Sequence, residues 1–221
     1  NIPRVPFPDS LSEVVAMRVE DVHKVCVLGA GAMGAGIAQV CAQAGYAVAM
    51  RDIEHRFVEA GFKRIRGPLM KRVEKGKMTQ DEVDGIVSRI EGTTDLALAA
   101  TDAQLVIEAV PEKMDLKRQV LAEVDKACPP EVVFASNTSS LSITEMASVT
   151  KRADRFVGLH FFNPAPVMKL VEVIRGSETS KDTVTFAKAF CVKIGKEPVE
   201  VKEAPGFVVN RLLVPMMNEA F

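Results

Sequence analysis

The sequence predicts an α/β fold: a doubly wound, mostly parallel sheet, with a helical pair inserted after its second strand and a further helix at its end. Three observations carry this. Short apolar runs at KVCVL (24–28), QLVIEAV (104–110) and EVVFASN (131–137) alternate with segments of helical period, the pattern of parallel strands joined by crossover helices. The first run leads directly into a glycine-rich string and a helix of small residues. The chain of 221 residues, 48% of them hydrophobic, is long enough to bury a core on both faces of such a sheet.

Composition narrows the function classes. Lys and Arg number 28 against 29 Asp and Glu, for a formal net charge of -1. Without a basic block, nucleic acid is not expected as the main partner. The apolar runs are strand-like and much shorter than a membrane span, so no membrane segment is expected. Cys26, Cys41, Cys128 and Cys191 are widely spaced with no CxxC. They read as reduced, buried thiols of an intracellular protein, not as a disulfide frame or a zinc site. No metal is expected. The expected compartment is the cytoplasm, with mitochondrion and peroxisome left open. The chain begins at Asn1 rather than Met, and NRLLVPMMNEAF at its end reads as a helix cut in mid-course. The expectation is a fragment of a longer chain, whose targeting signals lie outside it.

The elements follow in order. Residues 1–22 carry Pro3, Pro6 and Pro8 and then SLSEVVAMRVED, an extended arm, a short amphipathic stretch and a linker. Residues 23–204 form the main domain. Its first strand is 24–28. A helix follows over 32–45, stopped by Gly45, and YAVAMRD (46–52) alternates as a second strand. Residues 54–90 are charged and helical in period with a break near KGKMT. They read as two antiparallel helices, the second capped by Thr79 with Glu82 in the capping-box position. Strands are expected at 104–110 and 131–137, with a helix over 114–127 between them. RFVGLH and KLVEVI follow, separated by FFNPAPVM. Pro205-Gly206 then breaks the chain before FVVNRLLVPMMNEAF.

Gly29, Gly31 and Gly34 form G-x-G-x-x-G, with Ala32 and Met33 between the second and third glycines. The string alone is common, but here a strand precedes it and a helix follows. The first glycine allows a tight turn, the second lets the backbone approach a pyrophosphate, and the third lets the helix pack on the strand. The helix start then offers free N–H groups to the phosphates. Asp52 ends the next strand, where a carboxylate accepts from ribose hydroxyls and repels a 2′-phosphate. This is a Rossmann-type site that favours NAD over NADP, although Arg51 and Arg56 beside it weaken the preference. The competing reading is a glycine turn and a surface aspartate without cofactor.

Only three histidines occur, His23, His55 and His160. His160 lies in GLHFFNP, at a strand end. Glu172 lies within KLVEVI, sharing a strand face with Leu170 and Ile174. A glutamate in such a run is costly to bury without a partner. A neighbouring imidazole satisfies it, fixes its own tautomer on the carboxylate, and keeps its second nitrogen free as a base. On residue type alone, a hydrogen-bonded core histidine competes with this dyad. Glu108 reads as a buried strand-end carboxylate with a structural partner.

The stretches VLGAGAMGAGIA, VIEAVPE, FASNTSSL, GLHFFNPAPVMKLVEVI and PGFVVNRLL, in this order over roughly residues 24–221, resemble the NAD-dependent L-3-hydroxyacyl-CoA dehydrogenases of fatty-acid β-oxidation, including the 3-hydroxybutyryl-CoA dehydrogenases. The resemblance implies that His160 is the catalytic base and Glu172 its orienting partner, with Ser139 and Asn210 close to the substrate. It implies NAD contacts from Asp52, Glu112, Lys117, Ser139 and Asn163 alongside the glycine loop. It assigns the helical pair to coenzyme A, through the basic run Lys71, Arg72, Lys75 and Lys77. It also makes residues 205–221 the first helix of a truncated C-terminal helical domain, the domain that forms the dimer contact. The full-length protein is therefore expected to be a homodimer or part of a multifunctional chain. Blander roles compete: a cap for Ser139, a helix-surface amide for Asn210, a solvated face for the basic run. Two other functions compete as well. One is a 3-hydroxyacid dehydrogenase of the hydroxyisobutyrate type with a lysine base, which GLHFFNP argues against. The other is a crystallin-like relative that binds NAD without turnover, which the intact His160–Glu172 pair argues against.

Overall fold

The computed structural model describes residues 17–220; the expected arm over residues 1–16 lies outside them. Eight strands form one sheet. They are β1 (Lys24–Leu28), β2 (Ala47–Arg51), β3 (Ile90–Thr93), β4 (Leu105–Glu108), β5 (Val133–Ser136), β6 (Phe156–Phe161), β7 (Leu170–Arg175) and β8 (Glu197–Lys202). Their order is β3-β2-β1-β4-β5-β6-β7-β8. Every pairing is parallel except β6 with β7. The chain winds outward from β1 in both directions, so the loops after β1 and β4 diverge. That leaves a crevice at the carboxyl ends of the strands, where α/β sheets bind ligands.

The helices are α1 (Ala32–Gln43), α2 (His55–Glu74), α3 (Gln80–Val87), α4 (Leu96–Ala100), α5 (Met114–Ala127), α6 (Ile143–Ala147), α7 (Lys181–Lys193) and α8 (Val209–Glu219). Alternation along the strands sorts side chains to two cores. Val25 and Val27 of β1 face one core with Ile37, Leu69, Val83 and Phe190. Cys26 and Leu28 face the other with Ala99, Leu121 and Met146. Helices thus cover both sheet faces, as the doubly wound reading requires.

The helical pair is α2 and α3. Thr79 caps α3, its Oγ1 accepting from Glu82 N while Thr79 N donates to the Glu82 carboxylate. The expected arm of 54–90 overruns by a strand start, because Ile90 opens β3. That strand carries Glu91 and Gly92 at the sheet edge and lacks an apolar signature. Helix α7 and strand β8 are also elements that the sequence reading does not anticipate. In β8, Pro198 and the charges of Glu197, Glu200 and Lys202 break the pattern, which an edge strand tolerates. Helix α8 has no buried residue, and Leu212, Leu213, Met216 and Met217 are exposed along it.

All four cysteines are free and buried. Burial pushes the thiols of Cys41 and Cys191 up to about 12 and that of Cys128 up to about 11, and it raises Cys26 further. Among the described residues, no helix is long and apolar enough to cross a membrane.

Candidate active site

The loop from β1 to α1 is built by its glycines. Gly29 has φ 104°, and a Cβ there would lie 2.6 Å from the Ala109 carbonyl oxygen. A Cβ on Gly34 would lie 1.8 Å from the Gly29 oxygen, so helix and loop touch through bare backbone. Gly31 is different: a Cβ there would meet nothing within 4 Å. The first helical bond of α1 runs from Ala35 N to Gly31 O. The N–H groups of Ala32, Met33 and Gly34 therefore have no partner within the helix and are available to an anion. Asp52, just past β2, accepts from Ala30 N and from Ile53 N, both at 2.7 Å. The carboxylate pins the loop while standing at the cleft.

These groups line a cleft of about 540 Å³, which Val110, Leu116 and Phe57 also line, within the usual size of a small-molecule site. The open face at Gly31, the free N–H groups and the strand-end carboxylate fit the pyrophosphate and ribose of a dinucleotide. The two nearby arginines are engaged elsewhere. Arg51 Nε donates to Thr94 O at 3.2 Å, while Arg56 pairs with Glu54 at 2.8 Å and stacks on Phe57.

A buried charge network lies behind the cleft. Lys117 is 1% exposed, and its Nζ lies 2.8 Å from Glu108 and 3.1 Å from Glu112. It also donates to Val110 O. Its three protons thus face four oxygens, two of them from Glu108, and of its partners Val110 lines the cleft. Glu108, with Lys117 and Ser136 as partners, is the structural carboxylate anticipated from sequence. Burial alone would raise the Glu112 carboxyl. The Thr138 hydroxyl, the Lys117 charge and the Ser139 N–H outweigh that and hold it below the ordinary range. Through its 2.7 Å bond to Ser139 N, Glu112 fixes the loop that carries Ser139.

The third part sits where the sheet reverses. His160 and Glu172 are directly paired across the antiparallel β6–β7 ladder. His160 Nδ1 lies 2.7 Å from Glu172 Oε2. The other oxygen, Oε1, accepts from Val208 N at 3.0 Å and Val209 N at 2.9 Å. The imidazole neighbours Phe162 and Phe207, with ring centroids 4.6 and 5.7 Å away. Tyr46 Oη is the fully buried side-chain polar atom without a partner among the described residues. His160 Nε2 has no hydrogen-bond partner among the described residues and is not fully buried. Asn210 Nδ2 donates to Ser139 O at 3.2 Å, bringing those two residues together beside the dyad. Asn163 is exposed in the following turn, joined to Pro164 by a cis peptide. That turn is held from below by Lys196, whose Nζ donates to Ala165 O and Met168 O.

Several contributors escape sequence reading. Lys196 lies in no motif, and Thr138 and Phe207 lie within FASNTSSL and PGFVVNRLL without being singled out there. Glu203, another, accepts from the Ser142 hydroxyl at 2.6 Å and ties β8 to the loop beyond Ser139.

A mostly parallel sheet with a pyrophosphate loop at its switch point, and a His–Glu pair at the same edge, defines a nicotinamide-dependent dehydrogenase domain. The family model described as 3-hydroxyacyl-CoA dehydrogenase, NAD binding domain, matches residues 24–204. A probable 3-hydroxybutyryl-CoA dehydrogenase of Bacillus subtilis is 49% identical over 200 residues, covering 90% of this chain and 69% of that protein. The mitochondrial hydroxyacyl-coenzyme A dehydrogenase of Rattus norvegicus is 45% identical over 205 residues, covering 90% of this chain and 65% of that protein. The crystal structure of (S)-3-hydroxybutyryl-CoA dehydrogenase from Ralstonia eutropha superposes with a TM-score of 0.87 at 46% identity, over 90% of this chain and 70% of that one. The chain belongs to the 3-hydroxyacyl-CoA dehydrogenase family. It spans about two thirds of the length of these relatives.

Proposed function

We propose that this chain oxidises the C3 hydroxyl of an L-3-hydroxyacyl-CoA to the 3-ketoacyl-CoA with NAD. The observation that carries the proposal is the His160–Glu172 pair, with Nδ1 held at 2.7 Å and Nε2 without a hydrogen-bond partner among the described residues. The Gly29–Gly34 loop holds the pyrophosphate and Asp52 the ribose. Bound NAD supplies the acceptor for the hydride that leaves C3. His160 Nε2 takes the hydroxyl proton, a role worth about 10²–10⁴-fold for a well-placed base. Glu172 keeps Nδ1 protonated and stabilises the imidazolium that forms. Asn210 and Ser139, at the same edge, hold the hydroxyl and thioester oxygens so that C3 is in line. Glu112 and Lys117 hold the Ser139 loop, and Asn163 borders the nicotinamide end.

Lys71, Arg72, Lys75 and Lys77 are exposed on α2 and the turn after it, and serve the phosphates of coenzyme A. The proposed setting is cytoplasmic, in a homodimer or a multifunctional chain. Supplying L-3-hydroxybutyryl-CoA and NAD to the full-length chain is expected to yield reduced cofactor, and His160→Gln is expected to abolish most of it. Cofactor binding without turnover would overturn the enzymatic reading.

A further inference from the structure

Two consecutive residues at the start of α8 have positive φ, Gly206 at 74° and Phe207 at 52°. Glycine adopts this conformation freely, but a bulky side chain rarely does. Among the described residues the other non-glycine case is Asp102, a residue type that tolerates it. A strained backbone persists only where its surroundings over-determine it, and such positions cluster at functional sites.

The surroundings of Phe207 are both members of the dyad. Its side chain is buried, 2% exposed, with its ring 5.7 Å from that of His160. Its left-handed backbone turns the chain so that the next two N–H groups, of Val208 and Val209, both point at Glu172 Oε1. Helix α8 has no side-chain cap of its own; Glu172, from a strand distant in sequence, fills that place. The negative carboxylate is thereby fixed by a helix N-terminus, leaving Oε2 for His160.

We infer that Phe207 is a positioning residue for the dyad: its ring restricts the His160 imidazole while its strained turn aims two backbone donors at Glu172, so that base and orienting carboxylate are set by one residue. The inference rests on the dyad reading of the function. It makes the docking of α8 a condition for a competent base, and it explains why glycine, which would relieve the strain, does not serve there.

The test uses Phe207→Ala, which removes the ring, and Phe207→Leu, which keeps most of the apolar volume. Histidine side-chain nitrogen NMR reads the tautomer of His160, assigned with His160→Gln. The parent is expected to show Nδ1 protonated and Nε2 bare. In Phe207→Ala that signature is expected to become a mixture, and in Phe207→Leu to shift less. In the full-length chain kcat is expected to fall about 10- to 100-fold for the alanine variant, the scale of a small misplacement of reacting groups. It should fall less for leucine, with KM for NAD unchanged in both. If Phe207→Ala does not fold, Phe207→Leu carries the test alone. An unchanged His160 signature and kcat in Phe207→Leu, with any loss in Phe207→Ala matched by loss of fold, overturns the inference. Loss of the dyad reading is told apart by His160→Gln itself, which would then retain turnover.

Discussion

His160 and Glu172 face each other at the one antiparallel pairing of the sheet, their side chains joined Nδ1 to Oε2 at 2.7 Å. In an antiparallel ladder opposed residues are held within direct side-chain reach. The reversal between β6 and β7 is therefore what makes this pair possible over so short a loop. Glu172 has three donors around it, two of them backbone N–H groups.

Replacing Glu172 with Gln keeps the shape but removes the charge and turns one acceptor into a donor. It is expected to lower kcat while NAD affinity stays unchanged, because Asp52 and the glycine loop hold the adenosine half. The mismatch with two backbone donors and an imidazole is expected to cost about 1–3 kcal/mol of stability. Isothermal titration with NAD, steady-state kinetics and urea unfolding separate these effects. Intact turnover with lowered stability alone would reduce the pair to a core hydrogen bond.

Asp52 carries the cofactor preference. NAD is expected to bind more tightly than NADP, and Asp52→Ala is expected to narrow the gap. The variant should also weaken NAD somewhat, since Ala30 N loses its partner. Calorimetric titration of both cofactors checks this; equal affinity in the parent sinks it.

The glycine loop makes two opposite predictions. A methyl at Gly34 collides with the Gly29 oxygen, so Gly34→Ala is expected to lower both the melting temperature and NAD affinity. A methyl at Gly31 meets only open space, so Gly31→Ala is expected to keep the melting temperature and lose affinity. Thermal melts with and without NAD check both. Tight NAD binding by Gly31→Ala would place the pyrophosphate elsewhere.

Glu112 and Glu203 set an acid limit. Burial works to raise each carboxyl, but hydrogen bonds from Thr138 and Ser139 for one, and from Ser142 and Thr144 for the other, hold both below the ordinary value of 4.5, helped at Glu112 by the Lys117 charge. Each binds its proton less readily folded than unfolded. Their stabilisation is complete above the unfolded pKa and is lost as pH falls through the lower folded value. Thermal melts are expected to decline below pH 4.5, and less steeply in Glu112→Gln. An identical decline in that variant would assign the acid limit to other groups.

What the sequence made legible is what local rules govern. The G-x-G-x-x-G turn, the Thr79–Glu82 capping box and the first strand each follow from a few neighbouring residues, and the structure has them in place. The pairing of His160 with Glu172 was legible because an acidic residue in an apolar strand demands a partner. Long-range partners were not. Lys196 under the Ala165 turn and Glu203 against Ser142 look like ordinary surface charges until the chain brings their acceptors and donors close. Strands β3 and β8 lie at the two sheet edges, where one partner strand rather than two selects their residues. Phe207 was visible as part of a motif, but its left-handed backbone was not.

The four buried thiols make the protein its own reporter of opening. With burial holding every sulfur protonated and out of water, an alkylating dye reacts only when a core is exposed, because the thiolate is the reactive form. Cys41 and Cys191 lie in one core and Cys26 and Cys128 in the other. Counting labelled cysteines per molecule by mass spectrometry over time therefore distinguishes the release of one sheet face from the loss of both. Bound NAD, by stabilising the folded state over the unfolded one, should slow that clock for openings that disrupt the glycine loop.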